Sequence, residues 1–151
     1  MTPGMTCTTR LAMTAIGLEL TGFEDEALEC VAEILDRAHT AGLLETVACW
    51  MELARASAWP DQTMTTVRPI VRSIDGFEVP IEAAPAELRF VARLVAAYLA
   101  DDVDLIAALW VGSKEITAPA RVTCLTLLLR AAAYLIGSPR ELWGLGWEVV
   151  A

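Results

Sequence analysis

The chain has 151 residues, a formal net charge of −9 and 56% hydrophobic residues against 21% charged ones. A domain of this length folds without a disulfide or a metal, and its apolar excess predicts either a large core or a surface that a partner covers. With Lys114 as its single lysine and its arginines scattered, the chain is not expected to bind the nucleic-acid backbone directly, since that requires clustered basic residues.

In the first third of the chain, apolar residues recur every three or four positions, which is typical of helices with one buried face. A first helix is predicted over residues 9–20 and a second over residues 21–40. Thr21 and Glu24 are predicted to form a capping box, in which each side chain satisfies a backbone N–H at the helix start. Gly42 is predicted to separate this helix from the next.

The segment that follows the third predicted helix gives a mixed signal. That helix covers residues 43–59 and ends at Pro60, because proline cannot continue a helix. Residues 61–84 combine β-branched residues with prolines, and we expect a short irregular helix and a loop there. The alternative is a β-hairpin that turns at Asp75 and Gly76.

The second half of the chain has a stronger helical pattern. Helices are predicted over residues 85–99, 103–111 and 118–136. Asp101 or Asp102 is predicted to cap the second of them. The third is apolar nearly all round, which predicts a central, buried helix.

The C-terminal segment is predicted to form a short final helix. It opens at a second capping box, Ser138 with Glu141. The helix carries three candidate partner-binding residues, Leu142, Trp143 and Trp147. Aromatic residues at a chain end either pack back on the domain or anchor a partner.

A shift of 60 residues indicates an internal repeat, in which residues 21–84 and 85–151 are two related helical-hairpin halves. Within residues 28–50 the shift aligns five identical pairs: Leu28 with Leu88, Val31 with Val91, Ala32 with Ala92, Ala48 with Ala108, and Trp50 with Trp110.

The second half also resembles a tetratricopeptide-type helical hairpin. The matching positions are Leu94, Tyr98, Ala107 and Pro119. Val95 and Lys114 stand where that pattern has small residues, and Ala38 stands at the tyrosine position of the first half. The resemblance concerns the geometry of antiparallel helix pairs, and it implies a surface that binds a protein or a peptide.

Residues suited to catalysis or metal binding are few. The four cysteines, Cys7, Cys30, Cys49 and Cys124, contain no CxxC pair, and His39 is the single histidine. We therefore expect no metal, no cofactor and no disulfide. The acids Asp101, Asp102 and Asp104 lack the spacing and the glycine of an EF-hand loop, and we expect a polar turn there.

The chain is also predicted to lack a membrane span and a signal peptide. No stretch without a charged residue exceeds nine residues, whereas a spanning helix needs about 18–20. The apolar run near the N-terminus is short and an acid follows it directly, which does not fit a signal peptide. We expect a cytoplasmic protein.

Together these patterns predict one all-α domain over residues 1–151, a compact bundle of about six to eight helices. We expect a non-catalytic protein-interaction or regulatory module that presents apolar and aromatic surface to a protein partner or to a second copy, as a homodimer. The alternative is a helical protein that binds a small apolar ligand between its helices. An enzyme ranks third, because it would need His39 beside a cysteine or a carboxylate in a cleft.

Overall fold

The computed structural model describes residues 7–58, 66–113, 116–138, 142 and 144–150. Within these ranges the helices are α1 (Cys7–Leu20), α2 (Glu24–Arg37), α3 (Thr40–Ala58), α4 (Ala86–Leu99), α5 (Val103–Gly112) and α6 (Ala118–Ile136). The strands are β1 (Thr66–Arg72), β2 (Glu78–Val79) and β3 (Leu145–Val150), and a short 3-10 helix, Ile81–Ala83, precedes α4. The predicted compact helical bundle is confirmed, with a small antiparallel sheet added to it.

Helix α6 lies at the centre of the helical layer, where it packs against α1, α2, α3 and α4. This confirms the position predicted from its apolar composition. Arg121 and Arg130 are its only charged residues. By length and composition alone, α6 is the one described helix that could cross a bilayer, and its buried side chains belong to the core of the chain.

Helices α1 and α3 are joined by a buried polar contact and a close approach. The indole N–H of Trp50, which is fully buried, donates to the carbonyl oxygen of Ala12 at 2.8 Å. Gly42 lies inside α3 and not between two helices, so the predicted break there is wrong. A Cβ at Gly42 would lie 3.0 Å from the Ala38 Cβ and 3.3 Å from the Thr8 Oγ1. The glycine therefore serves packing.

The predicted capping box at the start of α2 is also wrong. The Thr21 hydroxyl donates to the carbonyl oxygen of Gly17 at 2.8 Å, so Thr21 belongs to the end of α1. The residue that precedes α2 is Phe23, which makes no side-chain cap. Thr21 lies two positions before Phe23, so it does not stand at the N-cap position of α2.

The middle of the chain forms the β-hairpin that was the alternative, so the expected helix and loop are wrong for residues 66–79. Strands β1 and β2 pair antiparallel. The turn closes through hydrogen bonds from the Ser73 N–H to the Phe77 oxygen at 2.8 Å and from the Gly76 N–H to the Ser73 oxygen at 2.9 Å. Gly76 has φ +86°, a conformation that favours glycine. Residues 61–65 lie outside the described residues.

The predicted final helix is wrong, because the described C-terminal residues form strand β3. It pairs antiparallel with β1, from Val150 opposite Thr66 to Leu145 opposite Val71. The sheet order is therefore β2-β1-β3, and its β1 and β3 strands pack on α4. Glu141 of the proposed capping box lies outside the described residues.

The sequence of β3 has the alternation of a half-buried strand. Leu145 is buried and Trp147 packs on the core, whereas Glu148 is exposed. On the exposed face, Arg68 of β1 bridges all three strands through ion pairs with Glu78 and with Glu148. Exposed pairs of this kind contribute little to stability, so the apolar side of the sheet holds it in place.

The two halves defined by the 60-residue shift differ in their third element. Helices α2 and α3 correspond in position to α4 and α5, but β1 follows the first pair and α6 follows the second. Their packing differs as well, since α2 packs mainly on α1 and α4 packs on β1 and α6. A correspondence is therefore limited to the helix pairs.

Candidate functional site

The three cysteine thiols that the structure describes, those of Cys30, Cys49 and Cys124, have a raised pKa. Burial raises the pKa of Cys30 and Cys49, and it raises the pKa of Cys124 to about 11. Nearby carboxylates, such as Glu87 beside Cys124, raise the thiol pKa further. These thiols are therefore protonated at neutral pH, whereas a catalytic cysteine needs a lowered pKa. His39 is exposed in the link between α2 and α3.

The acidic turn before α5 has a structural role, as predicted. A carboxylate oxygen of Asp102 accepts a hydrogen bond from the Leu105 N–H at 3.1 Å, which caps α5. Asp101 has φ +55° and lies 3.9 Å from the Arg55 guanidinium. Within the part of the chain that the structure describes, no three or more His, Cys, Asp or Glu side chains are grouped to hold a metal.

Two of the three predicted partner-binding residues pack on the chain itself. Leu142 and Trp147 are half-buried against the core. The indole N–H of Trp147 donates to the carbonyl oxygen of Ala92 at 3.0 Å. Trp143 lies outside the described residues. A role of this tail in partner binding stays a prediction.

Helix α5 is apolar and yet exposed. Asp104 is its only charged residue, none of its ten residues is buried, and it packs mainly against α4. We name its exposed side the α5 face, and its members, all apolar except Asp104, are Val103, Asp104, Leu105, Ala107, Ala108 and Val111. Val103 and Val111 are 68% and 65% exposed. A helix that is apolar nearly all round is normally buried, so α5 is covered on one side only.

One aromatic residue anchors the inner side of α5. Trp110 meets Phe90 of α4 edge to face, with ring centroids 6.0 Å apart. Its indole N–H donates to the Tyr98 hydroxyl at 3.2 Å. The Ser113 hydroxyl donates to the Trp110 carbonyl oxygen at 2.6 Å and ends the helix. The outer side of α5 is left to solvent.

A cavity of about 270 Å³ separates α5 from the centre of the bundle. Its apolar lining comes from five helices: Leu35, Leu43, Phe90, Trp110, Leu125 and Leu128. Thr40, Ser113, Arg121 and the Cys124 thiol add polar atoms to the lining. A wider groove of about 730 Å³ lies beside it, between α2 and α6, and it shares Thr40 and Arg121 with the cavity.

Comparison with protein-family models, with curated proteins and with solved structures finds no match to this chain. The tetratricopeptide-type resemblance of the second half thus stays without a matching family model. What this chain does must be inferred from its surfaces and its cavity.

The α5 face was not predicted from the sequence, although a signal for it was present, and the pocket between helices that the alternative required was predicted without its lining residues. Residues 103–112 hold a single acid among valines, leucines and alanines, a composition that predicts a buried helix. Its exposure depends on which helices pack around it, and periodicity does not encode that. The hairpin turn also leaves apolar residues in solvent, since Ile74 is 94% exposed and Phe77 is 73% exposed.

Proposed function

We propose that this chain is a non-catalytic protein-interaction module, and that it binds a second copy of itself through the α5 face. The observation that supports this is a ten-residue helix with one charge and no buried residue. Short helices are marginal in water unless tertiary packing supports them. A partner that covers the outer side of α5 would supply the burial that α4 alone does not provide.

The chemistry of the α5 face favours a second copy as the occupant. Asp104 is the only charge on the helix, so the face offers no charge pattern that would select a basic or an acidic partner. An apolar stripe is complementary to another apolar stripe, and a two-fold axis brings the same patch of two copies together. The dimer is then held by apolar burial against the repulsion of two acidic chains.

The size of the face sets the expected affinity. A helix of ten residues is about 15 Å long, so the contact falls at the small end of specific interfaces. We therefore expect a reversible dimer with a dissociation constant on the order of micromolar or weaker.

Sedimentation velocity over a range of protein concentrations tests this proposal. Ala107→Glu places a charge on the α5 face, at an exposed helical position. Ala56→Glu is the matched control, because Ala56 is an exposed helical alanine on α3. We expect the wild type and Ala56→Glu to dimerise alike, and Ala107→Glu to stay monomeric with unchanged helical circular dichroism.

Two outcomes would contradict the proposal. One is a wild type that stays monomeric at all concentrations. The other is an Ala107→Glu variant that dimerises as well as the wild type does. In particular, a dimer that resists Ala107→Glu and is broken by Phe77→Glu would place the contact at the hairpin turn, where Phe77 is exposed.

A second candidate function, binding of a small apolar molecule, is supported by the cavity beneath α5. An enzyme remains the third candidate. The raised pKa of the three thiols does not support it, because it removes the thiolate that a cysteine nucleophile requires.

A further inference from the structure

We infer that the cavity between α5 and α6 is a binding site for a small amphipathic acid, with its hydrocarbon tail in the cavity and its carboxylate on Arg121. This site does not depend on self-association, although Val111 belongs both to the α5 face and to the cavity lining. The inner side of α5 lines the cavity through Trp110, whereas Ala107 lies on the exposed side.

The size and lining of the cavity indicate an apolar guest. Protein cores are close-packed, and voids larger than a water molecule are few. A cavity lined mostly by leucines and aromatic rings offers water few hydrogen-bond partners, so its apolar part favours an apolar guest. The volume of about 270 Å³ holds roughly nine water-sized groups, which corresponds to a chain of about eight to ten carbons.

Arg121 gives the site its preference for an anionic head group. It lines both the cavity and the adjoining groove, and its side chain is exposed. Among the described residues, no carboxylate lies within 4.0 Å of its guanidinium. Asp36 lines the groove but not the cavity. An arginine that no described carboxylate engages is suited to bind a carboxylate ligand through two parallel hydrogen bonds.

The groove gives the ligand a route into the cavity. Four lining residues are common to both spaces: Leu35, Thr40, Leu43 and Arg121. A tail that passes Leu43 reaches the aromatic wall of Phe90 and Trp110, while the head group stays at the groove side. A molecule with one apolar end and one charged end fits the apolar cavity and the Arg121 side of the groove better than a uniformly apolar molecule does.

Isothermal titration calorimetry with three probes tests the assignment. Decanoate has both parts of the ligand, decanol has the tail alone and acetate has the head alone. We expect decanoate, used below its critical micelle concentration, to bind at least about tenfold more tightly than decanol, because a charge-assisted hydrogen bond is worth at least that factor. Acetate is expected not to bind measurably.

Variants of the lining separate head from tail. Arg121→Gln is expected to lower the affinity for decanoate to that for decanol and to leave the affinity for decanol unchanged. Arg121→Lys is expected to retain part of the preference for decanoate over decanol. Leu43→Trp fills the junction of cavity and groove and is expected to abolish binding of both probes. Arg37→Gln, at the exposed end of α2 and outside both linings, is the matched control.

Three results would overturn the inference. If decanoate does not bind the wild type, the cavity is not a site for such acids. If a folded Leu43→Trp variant binds decanoate as tightly as the wild type does, the ligand binds elsewhere on the surface. If decanol binds as tightly as decanoate, or if Arg121→Gln keeps the preference, the role given to Arg121 is wrong. The monomeric Ala107→Glu variant is expected to bind decanoate as the wild type does, so this inference and the dimer fail independently.

Discussion

The indole N–H of Trp147 donates a hydrogen bond to the carbonyl oxygen of Ala92, 3.0 Å away. Trp147 lies on β3 and Ala92 is a buried residue of α4. The contact therefore joins the last strand of the chain to a central helix. It also occupies one of the three tail residues that were predicted to bind a partner, whereas the exposed residues Val103 and Val111 lie on α5.

Trp147 should be needed for stability. We expect Trp147→Phe to lower the free energy of unfolding by about 1 kcal/mol through the lost hydrogen bond. Trp147→Ala should lower it by about 2 to 3 kcal/mol, because the half-buried ring is lost as well. Urea unfolding followed by circular dichroism measures both. Tyr134→Phe, at an exposed aromatic position of α6, should change little, and an unaffected Trp147→Ala would mean that β3 is not docked in solution.

Two helical glycines are expected to respond to alanine with opposite signs. At Gly17 of α1, an added Cβ meets nothing within 4 Å, so Gly17→Ala should raise the free energy of unfolding by about 0.5 to 1 kcal/mol. At Gly42 the same Cβ would lie 3.0 Å from the Ala38 Cβ. Gly42→Ala should therefore lower the free energy of unfolding by about 1 kcal/mol or more.

Each glycine substitution is the matched control for the other, because both add one methyl group to a helix. Thermal and urea unfolding of the pair give the comparison. A stabilised Gly42→Ala variant would mean that Ala38 and Thr8 lie farther from Gly42 of α3 than the structure has them.

The predicted and observed structures agree where the signal is local. Asp102, one of the two predicted candidates, caps α5, and α6 has the predicted bounds. A capping acid, a proline near the helix start and a glycine after its end are signals that lie within a few residues. Gly137 follows the end of α6 with φ +127°, a conformation that favours glycine.

The sequence-based predictions fail where a segment that is distant along the chain determines the local structure. Residues 145–150 become a strand because β1 lies beside them, although β1 is more than 70 residues away along the chain. Leu145, Trp147 and Val149 alternate with Gly146 and Glu148, so the period of a strand was present but weaker than the apparent capping signal at Ser138. The cavity was not predicted in detail because it is formed by five helices together.

Stability should fall in alkaline solution, and Cys124 should contribute to the fall. The folded pKa of this thiol is raised to about 11 from an ordinary value of 9.0, chiefly by burial. The folded state thus holds the proton more tightly, so the stabilisation is complete below pH 9 and is lost as the pH rises toward 11. Between pH 9 and 11, the contribution of this thiol to the free energy of unfolding, measured by urea unfolding, should fall by up to about 1.4 kcal/mol per pH unit.

Removal of the thiol tests that contribution. In Cys124→Ala, the free energy of unfolding should fall less steeply between pH 9 and 11 than in the wild type. In Cys30→Ala most of that fall should remain, since Cys30 is only partly buried. Identical declines in the wild type and in Cys124→Ala would show that this thiol does not titrate as the structure implies.

Salt should strengthen self-association. Each copy carries a net charge of −9, and the α5 face contributes apolar residues with Asp104 as its single charge. Raising NaCl from about 0.05 M to about 0.5 M shortens the range of repulsion between the copies. The dissociation constant from sedimentation equilibrium should therefore decrease. An increase would indicate a contact held by ion pairs, which the α5 face does not provide.

Hydrogen–deuterium exchange of the wild type, at a dilute and at a concentrated protein concentration, tests the proposed role of α5 most directly. Backbone amides of α5 exchange readily when that helix is covered on one side only, and a second copy should slow them. We predict concentration-dependent protection that is confined to residues 103–112, with α1, α3 and α6 unchanged. Exchange of α5 that is independent of concentration, or protection that appears instead at the hairpin turn of Ile74 and Phe77, would contradict the assignment.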